Sequence, residues 1–139
     1  MENNSLCNLG WLTHLVDLNV RPFVPVGYSV KEHKKGGILE IEELCLYFSK
    51  GAKTVRDVLS ETEKERITNA NFLDYLLLNN RLISTSWRKY SLLFSGTIYQ
   101  NLNEEIFVRR LYLENELWRW NFCSLEEVFY KNFALVLLE

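Results

Sequence analysis

"LYLENELWRW", residues 111–120, is the stretch on which the fold turns. Asn115-Glu116 separates two runs that alternate apolar and polar side chains, the pattern of two strands joined by a two-residue turn in which Asn tolerates positive φ. Glu116 is the less natural occupant, because the second central position of such a turn usually takes Gly. With that turn, Leu113 faces Trp118, Leu111 faces Trp120 and Arg109 faces Phe122, all six on one side of the ribbon. The other side carries Tyr112 beside Arg119 and Arg110 beside Asn121, a polar set expected to meet water. A slip of one residue would exchange the faces and bury Arg110 and Arg119 without partners, so the pattern specifies its own register.

The rest of the C-terminal half reads the same way. From Lys89 onward "YSLLFSGTIYQ", "IFVRRLYL", "LWRWNF" and "FALVLL" are strands, rich in β-branched and aromatic residues. Before them, "NANFLDYLLLNN" (residues 69–80) brings Phe72, Tyr75, Leu76 and Asn79 to one helical face, with Asn71 able to accept from first-turn amides and Asn79-Asn80 suited to the C-terminal stop. That helix is expected to be wholly packed against the core. Residues 54–66 form a second helix, with Thr54 as N-cap and Asp57 in an acidic first turn. "ILEIEELCLYFS" gives one or two strands, "KEHKKGG" a polar loop, and "NVRPFVPVGYSV", with Pro22 and Pro25, an extended connector. Residues 5–18 carry Leu9, Trp11, Leu12, Leu15 and Val16 at amphipathic-helix spacing, with Gly10 as a weak point. The expected architecture is one α+β domain, residues 1–80 mainly helical with one or two strands and residues 81–139 an antiparallel sheet.

Composition narrows function by exclusion. The chain has 139 residues, 47% hydrophobic and 24% charged, enough for a single core and too apolar for disorder. Its net charge of −2 comes from interleaved acids and bases, which leaves no stripe for a nucleic-acid backbone. No apolar run approaches the roughly 20 residues that cross a bilayer, and "MENNSLCNLG" lacks the basic and hydrophobic regions of a signal peptide, so a cytoplasmic protein is expected. Cys7, Cys45 and Cys123 are widely spaced among apolar neighbours and read as reduced, buried thiols, the alternative being a disulfide between two of them, whose Cα separation the sequence does not supply.

Chemistry-bearing residues are sparse. His33, between Glu32 and Lys34, or near Glu40, could act as a general base, but no nucleophile stands at identifiable spacing; the alternative is a solvated loop histidine. His14 reads as a hydrogen-bonded, half-buried side chain. The two histidines and three cysteines show no paired ligand spacing, so no metal site is expected. Lys31, His33, Lys34 and Lys35 before Gly36-Gly37 could hold an anion, or simply form a basic loop.

Trp118, Trp120 and Phe122 each serve the core before any ligand, because burying an aromatic removes about 150–250 Å² from water. Contacts with a partner are therefore expected on the opposite face, the hairpin tip and the loop from Ser124 to Asn132. The candidate binding residues are Arg110, Tyr112, Glu116, Arg119, Asn121, Glu126, Glu127 and Tyr130. Tyr and Arg are the residue types enriched at protein interfaces, so a protein is the expected partner, with no enzyme chemistry and no cofactor.

Four segments together resemble an uncharacterised family of small bacterial proteins: "YSVKEHKKGGILEIEELCLYFS", "NANFLDYLLLNNRLISTSW", "FSGTIYQNLNEEIFVRRLYLENELWRWNF" and "NFALVLL". Some members of that family resemble the variable proteins of diversity-generating retroelements, whose C-terminal part varies on a C-type-lectin-like scaffold. The resemblance implies that the strand pair ending at Phe122, the following loop and the final strand form a display region. The chain departs from the pattern in "LISTSW", which lacks a proline and the acids before the tryptophan, in Glu116 for a turn glycine, and in "CSLEEVFYKN" where an aromatic, Asn/Asp-rich loop is usual. The favoured reading is a non-enzymatic binding module. The alternatives are a small phage- or mobile-element-encoded inhibitor that masks a larger enzyme, and an enzyme using His33.

Overall fold

The computed structural model describes residues 14–139. Cys7, and residues 5–13 of the helix expected over 5–18, lie outside the described residues. The central strands are β5 (Ser91–Asn101) and β8 (Phe133–Leu138), buried along nearly their whole length. Their runs Leu92–Phe94 and Phe133–Leu138 are continuously apolar because both faces of the sheet are covered. β8 runs parallel to β5, pairing Ser91–Leu93 with Phe133–Leu135, so the expectation of a purely antiparallel sheet is corrected at this one junction. β6 (Ile106–Glu114) follows on the other side of β5, and β7 (Leu117–Ser124) forms that edge. β4 (Leu44–Tyr47) pairs with β8 at the opposite edge, and β2 (Tyr28–His33) pairs with the far half of β5. β1 (Leu15–Asp17) and β3 (Ile38–Glu40) make a separate two-stranded ribbon. The architecture is α+β.

The N-terminal half holds more strand than expected. Residues 15–17 are extended, not helical, and Tyr28–His33, expected to be connector and loop, is a half-exposed strand whose polar side chains hide it from a hydrophobicity reading. Among its described residues, 14–80, this half is therefore not mainly helical: they form four strands and two short helices, α1 (Val55–Leu59) and α2 (Ala70–Leu78). Thr54 caps α1 in a reciprocal box with Asp57, as its sequence predicts. The helix stops at Leu59, well short of residue 66, because the Thr62 hydroxyl takes the Leu59 carbonyl at 3.0 Å and Glu61 turns back to Lys53 and the Tyr47 hydroxyl. A 3-10 turn at Lys64–Arg66 is all that follows.

α2 is capped by Asn69 rather than Asn71: the Asn69 side chain accepts from the Asn71 amide at 3.0 Å. Asn71 instead donates to the Asp17 and Val20 carbonyls, tying the N-terminal segment to the helix. Phe72, Leu73 and Leu76 pack on Leu92, Phe94, Leu111, Ala134 and Val136, and each buried side chain contributes about 1.5–3 kcal/mol. The helix is not wholly packed, since Leu78 is 85% exposed on its opposite side. On the second face of the sheet, Val55 and Val58 meet Leu93, Val108, Cys123, Leu125, Phe129 and Leu135.

β5 bends between these layers. Its pairing with β6 shifts between Phe94 and Tyr99, and Gly96 sits where a Cβ would lie 2.7 Å from the Thr68 backbone. Only a residue without a side chain lets the chain entering α2 approach that closely.

Candidate functional site

The β6–β7 ribbon has the register its sequence dictates. Leu113 pairs with Trp118, Leu111 with Trp120, Arg109 with Phe122, Tyr112 with Arg119 and Arg110 with Asn121. Asn115 and Glu116 both take positive φ, 51° and 64°, which matches the right-handed twist of the strands they join. The Glu116 side chain makes an exposed ion pair with Arg88 at 2.5 Å.

Trp118 and Trp120 pack against the α2 side of the sheet, and Trp120 continues into an aromatic group with Phe23, Phe122, Tyr28, Tyr99 and Phe107. Arg109 lies inside this group with 1% of its surface exposed. Its guanidinium reaches Asp74 of α2 through two bonds, 3.0 and 2.9 Å, and lies 4.1 Å from the Trp120 ring centre. The sequence places Arg109 on the apolar side but does not reveal its partner, because the approach of Asp74 depends on how α2 docks.

The opposite face is not uniformly wet, which corrects the expectation of a solvated set. Its base is covered by α1 and residues 125–133. The Val55 and Arg56 amides, free donors at the start of α1, are taken by the carbonyls of Glu127 and Leu125 at 2.8 Å each. The Phe129 amide reaches Lys53 O, also at 2.8 Å. The loop after β7 is thereby sewn to the helix. Burial raises the Cys123 thiol beneath it to about 12, with Glu127 adding to the effect, so this cysteine is an inert core residue.

Above that cover, five candidate residues come together. The half-buried Arg110 donates through Nε to Asn121 Oδ1 at 2.9 Å, and its guanidinium lies 5.4 Å from the Tyr112 ring centre and 5.3 Å from that of Phe133. Tyr130, 51% exposed, stacks edge-on against Phe133. Arg119 is exposed and meets Glu114 at 3.4 Å. The other candidates point elsewhere: Glu116 turns to Arg88, Glu126 pairs with Arg56 at 2.5 Å, and Glu127 is half-buried beside Cys123. Phe133 and Glu114 join the site unforeseen. Phe133 had registered only as a core strand residue, and Glu114 only as the residue before a turn.

His33 is a structural tie. Its Nδ1 lies 2.8 Å from Thr97 Oγ1, which also accepts the Ala70 amide, and Asn69 Nδ2 is 3.4 Å from Nε2. Burial holds its pKa below the usual value against the opposing pull of the Val20 and Leu18 carbonyls. Lys34 Nζ donates to the Glu65 and Ile67 carbonyls at 2.6 and 3.1 Å, so the basic segment spends its central lysine on the fold. His14 is half-buried against the Tyr75 hydroxyl at 2.9 Å. Cys45 and Cys123 are free thiols. Among the described residues no three His, Cys, Asp or Glu side chains converge on a metal position, and no helix is long and apolar enough to cross a membrane. Comparison with family models, curated proteins and solved structures found no match.

Proposed function

We propose that the chain is a non-enzymatic binding module whose contact surface is the outer face of the β6–β7 ribbon, centred on Arg110, Tyr112, Arg119 and Asn121 with Tyr130 beside them, and that its partner is a protein. The observation that carries this reading is the fixed presentation of the Arg110 guanidinium beside Tyr112, with Arg119 directly across the ribbon from that tyrosine. Arg110 is oriented by Asn121 and by two rings, Arg119 leans on Glu114, and the ribbon beneath them is anchored by the buried Arg109–Asp74 pair. Side chains already held in place lose little entropy on binding, which is how a small surface gains affinity. His33 supports the same reading by its engagement in the fold, since Nδ1 lies 2.8 Å from Thr97 Oγ1 and Nε2 lies 3.4 Å from Asn69 Nδ2, so both ring nitrogens face side chains of the fold.

The finer form of the proposal is a C-type-lectin-like display scaffold in the cytoplasm. It rests on the resemblance of the C-terminal segments, on a loop after β7 tied to α1 beside the ribbon, and on unpaired Cys45 and Cys123, the ordinary state in a reducing compartment. The test is affinity capture from the native host with the wild-type chain, Tyr112→Ala and Arg119→Glu, using Leu78→Ala on the far side as the control. A partner retained by wild type and the control but lost by both surface variants supports the proposal. An identical set of captured proteins with all four chains overturns it.

A further inference from the structure

β7 is the outermost strand of the principal sheet, and its backbone decides what can lie beside it. In a two-residue hairpin the residues flanking the turn, here Glu114 and Leu117, exchange hydrogen bonds, and bonded and non-bonded pairs then alternate down the ribbon. The register runs from Glu114–Leu117 to Phe107–Ser124 without a shift. Trp118, Trp120 and Phe122 therefore turn their N–H and C=O groups away from β6. Among the described residues no other backbone takes these groups. The usual protections of an edge are also missing, since the strand contains no proline and no bulge, and Arg119 is its one charge.

We propose that this edge pairs with the same edge of a second copy of the chain, antiparallel, about a two-fold axis at Trp120. The strand's own chemistry selects that axis. Centring on Arg119 would set Arg119 opposite itself, a like-charge contact in the middle of the ribbon. Centring on Asn121 would require Ser124 to pair outward, but its carbonyl already accepts the Glu127 amide at 3.1 Å and the chain turns away there. Centring on Trp120 lets the three outward residues of each copy form up to about six hydrogen bonds. It sets Trp118 against Phe122 of the second copy, and it places Arg119 opposite Asn121 of the second copy twice, a guanidinium donor against an amide acceptor. The pairing makes one continuous sheet and doubles the Arg110–Tyr112–Arg119 surface, so a repeating partner would be held at two points.

The test is sedimentation equilibrium on the full chain, with near-UV circular dichroism of the tryptophans confirming that each variant folds. Wild type dimerises with a micromolar dissociation constant and is largely dimeric at about 100 µM. Asn121→Arg sets two arginine pairs face to face and raises the constant roughly tenfold. Asn121→Ala removes the same bond to Arg110 and both contacts with Arg119 of the second copy without adding charge, so it raises the constant only about two- to threefold and stays largely dimeric at about 100 µM. Arg119→Glu combined with Asn121→Arg restores opposite charges and the wild-type constant. A wild-type chain that remains monomeric at about 100 µM overturns the proposal. So does an Asn121→Arg chain that dimerises as tightly as wild type, or an Asn121→Ala chain that dissociates as readily as Asn121→Arg.

Discussion

Removing the carboxylate of Asp74 is the perturbation with the most to say about what holds the ribbon in place. Arg109 is 1% exposed and its guanidinium has two bonds to Asp74, while its Nε has no hydrogen-bond partner. Asp74→Ala leaves a full charge among Trp120, Phe23 and Tyr99, and breaking a buried pair from one side costs about 3–5 kcal/mol. The lower end applies, because the Asp74 side chain is 35% exposed and water can follow it in. Ala is also the better helix former by about 0.7 kcal/mol, which leaves a net loss of about 2–2.5 kcal/mol and a fall in Tm on the order of 10 °C. The mirror change behaves differently. Arg109→Met removes the buried charge, fills much the same volume, and leaves Asp74 free to hydrate, so it costs under about 1 kcal/mol. The double variant Asp74→Ala with Arg109→Met returns close to wild type, giving a coupling of about 2 kcal/mol. Urea unfolding followed by tryptophan fluorescence reads all four chains, since Trp120 lies on the guanidinium. If Arg109→Met proves more damaging than Asp74→Ala, the ring contacts rather than the carboxylate carry the guanidinium, and the reasoning fails.

Gly96→Ala drives a methyl group into the Thr68 backbone at 2.7 Å, a contact no side-chain movement can relieve; a loss of more than about 3 kcal/mol or an insoluble product is expected, and a Tm within a few degrees of wild type would show that β5 can straighten. His33 gives a pH dependence. Because burial lowers its folded pKa, protonation favours the unfolded chain: its contribution is complete above the ordinary value of 6.5 and is lost as pH falls below it towards the lowered value. Urea midpoints measured between about pH 7.5 and 5.5 should therefore fall more steeply for wild type than for His33→Gln, and equal slopes would refute the burial argument. In a Cys7→Ser background, Cys45 is modified by a thiol reagent in the folded state while Cys123, buried and raised to about 12, reacts only after unfolding; mass spectrometry of partly labelled chains distinguishes the two sites.

The ribbon was legible because period-two alternation and a two-residue turn leave one register that keeps Arg110 and Arg119 out of the apolar layer, and Trp118, Trp120 and Leu111 follow from it. Local chemistry also revealed the Thr54 cap, which needs only a hydroxyl and an acid three residues apart. Where two residues of one type compete, as Asn69 and Asn71 do for the cap of α2, sequence has no means of choosing; the choice is made by Gly96 and His33, far along the chain, which fix where Asn69 sits. Tyr28–His33 was hidden for another reason: a half-exposed strand beside β5 keeps its polar side chains, so its only signature is the partner it pairs with.

The cover over the base of the outer face was illegible for the same non-local reason, and it reshapes the candidate site. Residues 124–132 read as a free loop because their charges alternate with apolar positions at no regular period. The free amides that begin α1 capture the Glu127 and Leu125 carbonyls, and Phe129 and Phe133 then close over Val108 and Cys123. Burial at one end of the face is what makes the other end specific: Arg110 lies on Phe133 only because that ring has been fixed by the closing loop. A surface of eight dispersed candidates thus contracts to a few side chains whose geometry depends on α1, so changes that loosen the α1 cap should weaken partner binding without touching any contact residue. Thr54→Ala, a loss of about 1 kcal/mol in the cap, is the mildest way to apply that strain.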